Sequence, residues 1–201
     1  MREPDDPIII LLGGASGVGK TTLANTLVHE LGLQHHLSTG FVREAVRSLL
    51  PEALVGALQG HAFDAWKLIN PDPDLPIRPA FQGTKAQAEL LRPAFQACID
   101  RALREGISLV MEGSHLIPGL LVDYYDKVSL ACIIDVPDRD TMLSRATSDS
   151  HRRRALDSGQ LNSILELQEE CMRLAGDYSL PVIDNTDLET ALVEIQKLIS
   201  C

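Results

Sequence analysis

Short apolar runs alternate with longer amphipathic stretches along this chain. Residues 8–12 are an unbroken apolar run, the pattern of a parallel strand buried on both faces. After it, Leu23, Leu27 and Leu31 recur every four residues with Ala24 and Val28 beside them, which predicts one face of a helix that stops at Gly32. Residues 34–38 form a candidate second strand. Phe41, Val42, Ala45, Val46 and Leu49 then mark the apolar face of a helix carrying Arg43, Glu44 and Arg47 opposite, and Pro51 limits it. Residues 52–69 read as broken helix, with Leu54, Leu58, Ala62, Trp66 and Ile69 as the apolar series. Pro71, Pro73, Pro76 and Pro79 make 70–79 a loop. A long helix over about 84–104 is predicted to turn Leu91, Phe95, Ile99 and Ala102 inward, with Pro93 as a possible kink.

The same alternation continues to the end of the chain. Strands are predicted over 107–111, 129–134 and 181–184, and helices over 137–146 and 159–176. The polar, arginine-rich stretch 147–158 reads as a mobile loop. Thr186 and Glu189 have the spacing of a capping box ahead of a last helix with Leu188, Leu192, Ile195 and Ile199 inward. Strands alternating with helices predict an α/β fold, a single three-layer domain with a five-stranded parallel sheet.

Composition narrows the setting. At 201 residues the chain suits one sizeable core, and 45% hydrophobic with 23% charged residues is ordinary for a soluble globular protein. A net charge of −10 argues against a broad nucleic-acid or anionic-membrane surface, so basic sites must be local. Cys98, Cys132, Cys171 and Cys201 stand far apart, which points to incidental thiols and not to a metal site or disulfide framework. Residues 1–7 are unlike a signal peptide and no stretch approaches membrane-spanning length, so a cytoplasmic protein is expected.

The chemistry begins directly after the first strand. Gly14, Ala15, Ser16, Gly17, Val18, Gly19, Lys20 and Thr21 fit G-x-x-x-x-G-K-[ST], the Walker A phosphate loop, with Thr22 following. Its glycines let backbone N–H groups converge on a β-phosphate, and the next helix adds the positive end of its dipole. Lys20 brings a mobile charge to the β- and γ-phosphates of ATP, and the Thr21 hydroxyl is placed to ligate Mg²⁺. A buried strand before and an amphipathic helix after are the context this P-loop requires.

Further candidates lie at the ends of the other strands. Glu112 follows the third strand, where a carboxylate can hold Mg²⁺ through water or accept a proton from an attacking hydroxyl. Gly113 beside it lets backbone approach a ligand. His115 either positions an acceptor or caps a loop. Arg145, Arg152, Arg153 and Arg154 suit either a lid over the γ-phosphate or a solvated basic turn. Arg43 and Arg47, one helical turn apart, either grip a phosphate or carboxylate of the acceptor or pair with Glu44 on an exposed face. His35-His36 has no i+4 partner or nearby cysteine, so metal ligation there is not expected. No Asn-Lys-x-Asp for guanine is present. A small-molecule kinase fits best.

Four strings carry a family resemblance: the phosphate loop 13–21; Ser38-Thr39-x-Phe41-Val42-Arg43-Glu44; Arg101-Ala102-Leu103-Arg104-Glu105-Gly106 leading to Glu112-Gly113-Ser114-His115-Leu116-Ile117-Pro118-Gly119; and Pro181-Val182-Ile183-Asp184-Asn185. Together they resemble 2-phosphoglycerate kinases over nearly the whole chain. The resemblance implies a nucleoside-monophosphate-kinase-like sheet, a mobile lid, and ATP-dependent phosphorylation of the free hydroxyl of 2-phosphoglycerate to 2,3-bisphosphoglycerate. Kinases for a nucleoside or sugar acceptor, and a nucleotide-binding regulatory module without turnover, are the alternatives. Two positions depart from the family pattern on the acceptor side. Gly40 stands where aspartate is common in Ser-Thr-x, and Thr84 where an aromatic is expected.

Overall fold

A computed structural model describes residues 6–51, 55–148 and 156–200. Its centre is β1 (Ile9–Gly13), whose five residues are all buried, as the unbroken apolar run requires of a strand covered on both faces. β1 pairs in parallel with β3 (Leu109–Glu112) on one side and β4 (Leu130–Asp135) on the other. β2 (His35–Ser38) adds outside β3, and β5 (Val182–Asp184) outside β4. The order β2-β3-β1-β4-β5 makes the predicted five-stranded parallel sheet. Register carries the chemistry: Leu12 is level with Glu112, and Ser38 is level with Glu112 from the far side.

Helix α1 (Lys20–Leu31) starts at Gly19 and stops at Gly32, with Leu23, Ala24 and Leu27 buried. α2 (Thr39–Leu49) corrects the predicted face. Phe41 is 79% exposed, Leu49 84% exposed and Ala45 exposed, whereas Thr39 and Arg43 are buried and Val42 and Val46 pack on the core. After Pro51 the described stretch is mainly two 3₁₀ turns, Gly56–Gln59 and Ala62–Leu68, burying Leu58, Ala62 and Phe63; Leu54 lies outside the described residues.

α3 (Pro79–Glu105) begins earlier than its apolar spacing suggests, because Pro79 and Ala80 occupy its first turn, where a missing N–H costs nothing. Leu91, Phe95, Ile99 and Ala102 are buried as expected, and Pro93 is accommodated inside the helix. Thr84, at the departure from the family pattern, is fully buried, its hydroxyl within 2.9 Å of Ala62 O and 3.1 Å of Ala80 O. It ties the second 3₁₀ turn to α3.

α4 (Arg139–Ala146), α5 (Ser158–Asp177) and α6 (Leu188–Ile199) complete the layers. The last cap differs from expectation. Asp187, not Thr186, accepts the Thr190 N–H at 2.9 Å, while the Thr186 hydroxyl donates to Asp184 at 2.6 Å. Aspartate is among the strongest residues at that position, and the capping-box spacing simply picked the wrong hydroxyl. Cys98, Cys132 and Cys171 are free thiols, and burial pushes Cys171 up to about 12. No described helix is long and apolar enough to cross a membrane.

Candidate active site

A cleft of about 680 Å³ opens over the carboxyl ends of β1, β2 and β3. Its floor is the loop between β1 and α1. Gly14, Gly17 and Gly19 take φ of 130°, 91° and 82°, a backbone region that side-chain-bearing residues avoid, and so the loop can curl with its N–H groups inward. Three side chains brace it, two of them from elsewhere in the chain. Gln168 of α5 accepts the Ala15 N–H at 2.8 Å and donates to Ile134 O and Asp135 Oδ1. Asn185, just past β5, donates to Val18 O at 2.8 Å, and Lys20 Nζ donates back to Ala15 O at 2.6 Å. Sequence reading passed over Gln168 and met Asn185 only inside a string of family resemblance, because a polar residue on a helix or in a loop announces nothing until the fold aims it.

Glu112 stands at the foot of this loop as the last residue of β3, not past its end. It is 3% exposed, and its Oε1 accepts the Thr21 hydroxyl at 3.3 Å. The two residues predicted to serve Mg²⁺ thus meet, Thr21 from the first turn of α1 and Glu112 from the end of β3. His36 of β2 closes the group, with Nε2 3.6 Å from Glu112 Oε1. Among the described residues no cluster of three or more His, Cys, Asp or Glu side chains could enclose a metal alone. The donor set nevertheless fits Mg²⁺, a hard cation that keeps several waters and shares its site with substrate phosphates. Thr21 and Glu112 would hold it.

Gly113 lines the cleft with φ 151°, and a side chain there would strike the Thr39 side chain. That close approach lets α2 begin directly beside Glu112. Next to it His115 is buried and bonded at both ring nitrogens: Nδ1 with Thr39 Oγ1 and Nε2 with Gln87 Oε1, each at 2.9 Å. Gln87 uses its amide N–H groups on Ala57 O and on Gly60 O, so its oxygen must face His115. His115 therefore carries its proton on Nε2 and accepts the Thr39 hydroxyl at Nδ1. Burial, with Arg43 and Lys20 adding to it, lowers its pKa to about 3. It is a neutral brace between α2, α3 and the first 3₁₀ turn, and it lines the cleft.

The arginines separate. Arg43 is 8% exposed and lines the cleft; it donates to Gly60 O and to Glu44, the latter at 2.5 Å. This overturns its placement on an exposed helix face. Arg47 donates to Glu44 at 2.9 Å and is not among the residues lining the cleft. Arg145 lines the cleft near Gly19 and donates to Asn185 O and Thr186 O at 2.8 and 2.9 Å. Arg152, Arg153 and Arg154 lie outside the described residues, as does most of the expected lid; Thr147 and Ser148, its first two residues, are described, and Ser148 lines the cleft.

The far wall holds residues that sequence reading missed. His61, Ala62 and Phe63 come from the edge of the second 3₁₀ turn, and exposed Phe41 faces the cleft from α2. His61 and Phe63 stack at 5.3 Å with 17° between their planes. Their clue in the sequence, an aromatic and an imidazole two residues apart, is too common to point to a site.

Comparison with known proteins follows the same lines. No family model matches the chain. It is 31% identical to a 2-phosphoglycerate kinase of Pyrococcus furiosus and 32% identical to one of Pyrococcus horikoshii, in each case over 200 residues, 98% of this chain and 65% of the relative. A 2-phosphoglycerate kinase of Methanothermobacter thermautotrophicus is 29% identical over 204 residues, covering 98% of this chain and 67% of that protein. The resemblance read from four short strings thus extends over nearly the whole chain, while the chain spans 65% of the length of the two Pyrococcus relatives. Among solved structures, shikimate kinase from Acinetobacter baumannii in complex with shikimate superposes with a TM-score of 0.55 at 14% identity, covering 97% of this chain and 92% of that one. The fold is that of a P-loop kinase.

Proposed function

We propose that this chain is an ATP-dependent small-molecule kinase that transfers the γ-phosphoryl group to a hydroxyl of a phosphorylated hydroxy acid, with 2-phosphoglycerate as the first acceptor and 2,3-bisphosphoglycerate as its product. The observation that carries the reading is the meeting of Thr21 and buried Glu112 at the foot of a braced Walker A loop. The relatives named 2-phosphoglycerate kinase support the choice of acceptor.

In this reading the loop N–H groups and Lys20 hold the β- and γ-phosphates and offset the charge that spreads over the transferred group. Mg²⁺, when bound, would neutralise the same charge from the side of Thr21 and Glu112. The acceptor oxygen forms a bond to the γ-phosphorus as the bond to the β,γ-bridging oxygen breaks, ADP leaves, and the acceptor's proton passes to a carboxylate or to solvent. Such transfer depends on position and electrostatics more than on a strong base, so Gly40 in place of aspartate need not silence it. Arg43, already buried at the acceptor side, is the cation nearest to an incoming carboxylate or phosphate in this scheme, and Arg145 serves beside the phosphate loop.

A second reading has an observation of its own. Phe41 and the stacked His61–Phe63 pair give the acceptor wall aromatic faces, which suit a ring-bearing acceptor such as a nucleoside or sugar better than a three-carbon acid. An acceptor panel incubated with Mg²⁺-ATP and read by product mass decides between them. Phosphorylated 2-phosphoglycerate as the dominant product supports the first reading; a dominant nucleoside or sugar product replaces it.

A further inference from the structure

Two carboxylates among the described residues line the cleft, Glu112 at the phosphate end and Glu44 on α2, and Glu44 has no part in the scheme above. Its two oxygens are divided between two arginines. Oε1 accepts from Arg43 Nη2 at 2.5 Å, and Oε2 accepts from Arg47 Nε and Nη2 at 2.9 and 2.8 Å. The two arginines differ in setting: the Arg43 side chain is 10% exposed and lines the cleft, whereas that of Arg47 is 42% exposed and does not. A guanidinium as enclosed as Arg43 needs a counter-charge, and Gly60 O, to which it also donates, is neutral. Glu44 supplies the charge from a half-exposed side chain. The hydrogen bond from Arg47, then that from Arg43, lower its pKa against desolvation, so it stays ionised.

We propose that Glu44 is a displaceable counter-ion of the acceptor site, a positioning residue that holds Arg43 in the resting cleft and yields it to the anionic group of the acceptor while staying bound to Arg47. The exchange needs only a side-chain rotation, because the second carboxylate oxygen keeps its partner outside the cleft. Arg43 passes from one anion to another, and the cost of leaving a buried guanidinium unpaired does not arise. The displaced carboxylate remains close by and opposes each bound anion in proportion to that anion's charge. The product of the proposed reaction carries one phosphate more than its acceptor, so Glu44 weakens product more than acceptor and favours release. This rests on the acceptor reading above, and the two can fail separately.

The test is calorimetric binding of anions to the full chain with its phosphate loop already filled: inorganic phosphate and 2-phosphoglycerate on the protein loaded with Mg²⁺ and a non-hydrolysable ATP analogue, and 2,3-bisphosphoglycerate on the protein loaded with Mg²⁺-ADP. Glu44→Gln keeps the shape of the side chain and removes its charge. It should tighten phosphate about 3-fold, 2-phosphoglycerate about 5-fold and 2,3-bisphosphoglycerate about 10-fold, and 0.5 M salt should remove most of the gain. The gain should vanish in a protein also carrying Arg43→Gln. Arg47→Gln, which leaves Glu44 wholly to Arg43, should weaken phosphate about 5-fold, but less than about 2-fold once Glu44→Gln is present. A carboxylate that merely braces Arg43 gives the opposite sign, so unchanged or weaker phosphate binding in Glu44→Gln overturns the proposal, even if 2-phosphoglycerate is phosphorylated. If phosphate responds as stated and the unaltered protein does not bind 2-phosphoglycerate, the counter-ion role stands and the choice of acceptor falls instead.

Discussion

The floor of the cleft and its acceptor wall are built by opposite means. The floor is a local device: eight consecutive residues whose glycines, lysine and threonine set the geometry, with Gln168 and Asn185 as braces. The wall is assembled at long range. Two 3₁₀ turns, which cannot stand alone, are tied to the body by Gln87, Thr84 and Arg43 through side-chain bonds to backbone carbonyls. A floor made that way resists change in the rest of the chain, whereas a wall made of cross-links can be re-shaped by single substitutions.

The sharpest way to break the comparison is at Lys20. Lys20→Ala should lower phosphoryl transfer by more than about 10³-fold, because a cation at the developing charge is lost, while melting changes little. Near-normal turnover in that variant would remove the floor from the mechanism.

Gln87 is the matching position in the wall. Gln87→Leu leaves the Ala57 carbonyl and the His115 Nε2–H without their partner, each in a buried place. Unfolding free energy should fall by about 2–4 kcal/mol. Among molecules still folded, KM for the acceptor should rise several-fold and KM for ATP should stay within about two-fold. Equal changes in both constants would mean that floor and wall are one unit.

The two regions also differ in how far they could be read in advance. The floor lies in a contiguous string whose spacing is its geometry, so Gly14 to Thr22 declared itself, as did the strand-end place of Glu112. The wall did not. Residues 52–69 showed only a broken apolar series, because 3₁₀ turns have no strong period and their bonds run to Gln87, about 30 residues away. The burial of Arg43 was hidden for a related reason: hydropathy puts arginine outside, yet the fold supplies Gly60 O and Glu44 to satisfy it, and the side chain lines the cleft. Phe41 was misassigned in the opposite sense, since an aromatic facing a cleft looks from sequence like one facing a core.

Another effect appears only as pH changes. Folded His115 titrates near 3, an unfolded histidine near 6.5. Between these values the unfolded chain binds more protons, so this residue's contribution to stability is full above about pH 6.5 and is lost as pH falls toward 3. The slope should be at most about 1.4 kcal/mol per pH unit. His115→Gln should remove that component, which denaturant titrations at a series of pH values would show; an identical slope in the variant would place the effect elsewhere.

Gly40 gives the smallest effect and the finest discrimination. It is the second residue of α2, and a side chain there would meet only Ser38 Oγ, at 3.6 Å. No steric need holds the glycine in place. Gly40→Asp should stabilise the chain by about 0.5–1 kcal/mol through helix propensity and the helix dipole, seen as a higher Tm. Faster turnover of 2-phosphoglycerate in that variant would mean that the acceptor chemistry is present but weakened; loss of activity, with rapid phosphorylation of another acceptor by the unaltered protein, would mean that the wall has been re-shaped for that acceptor.

The central claim is acceptor-dependent phosphoryl transfer at the Thr21–Glu112 corner, and its most direct test is stoichiometry. ADP and phosphorylated product should be counted together in reactions of the unaltered protein with Mg²⁺-ATP, with and without 2-phosphoglycerate. The account predicts one ADP for each 2,3-bisphosphoglycerate formed, and almost no ADP when the acceptor is omitted. ADP released at the same rate with or without any acceptor in the panel, or tightly bound ATP that no acceptor turns over, would contradict it.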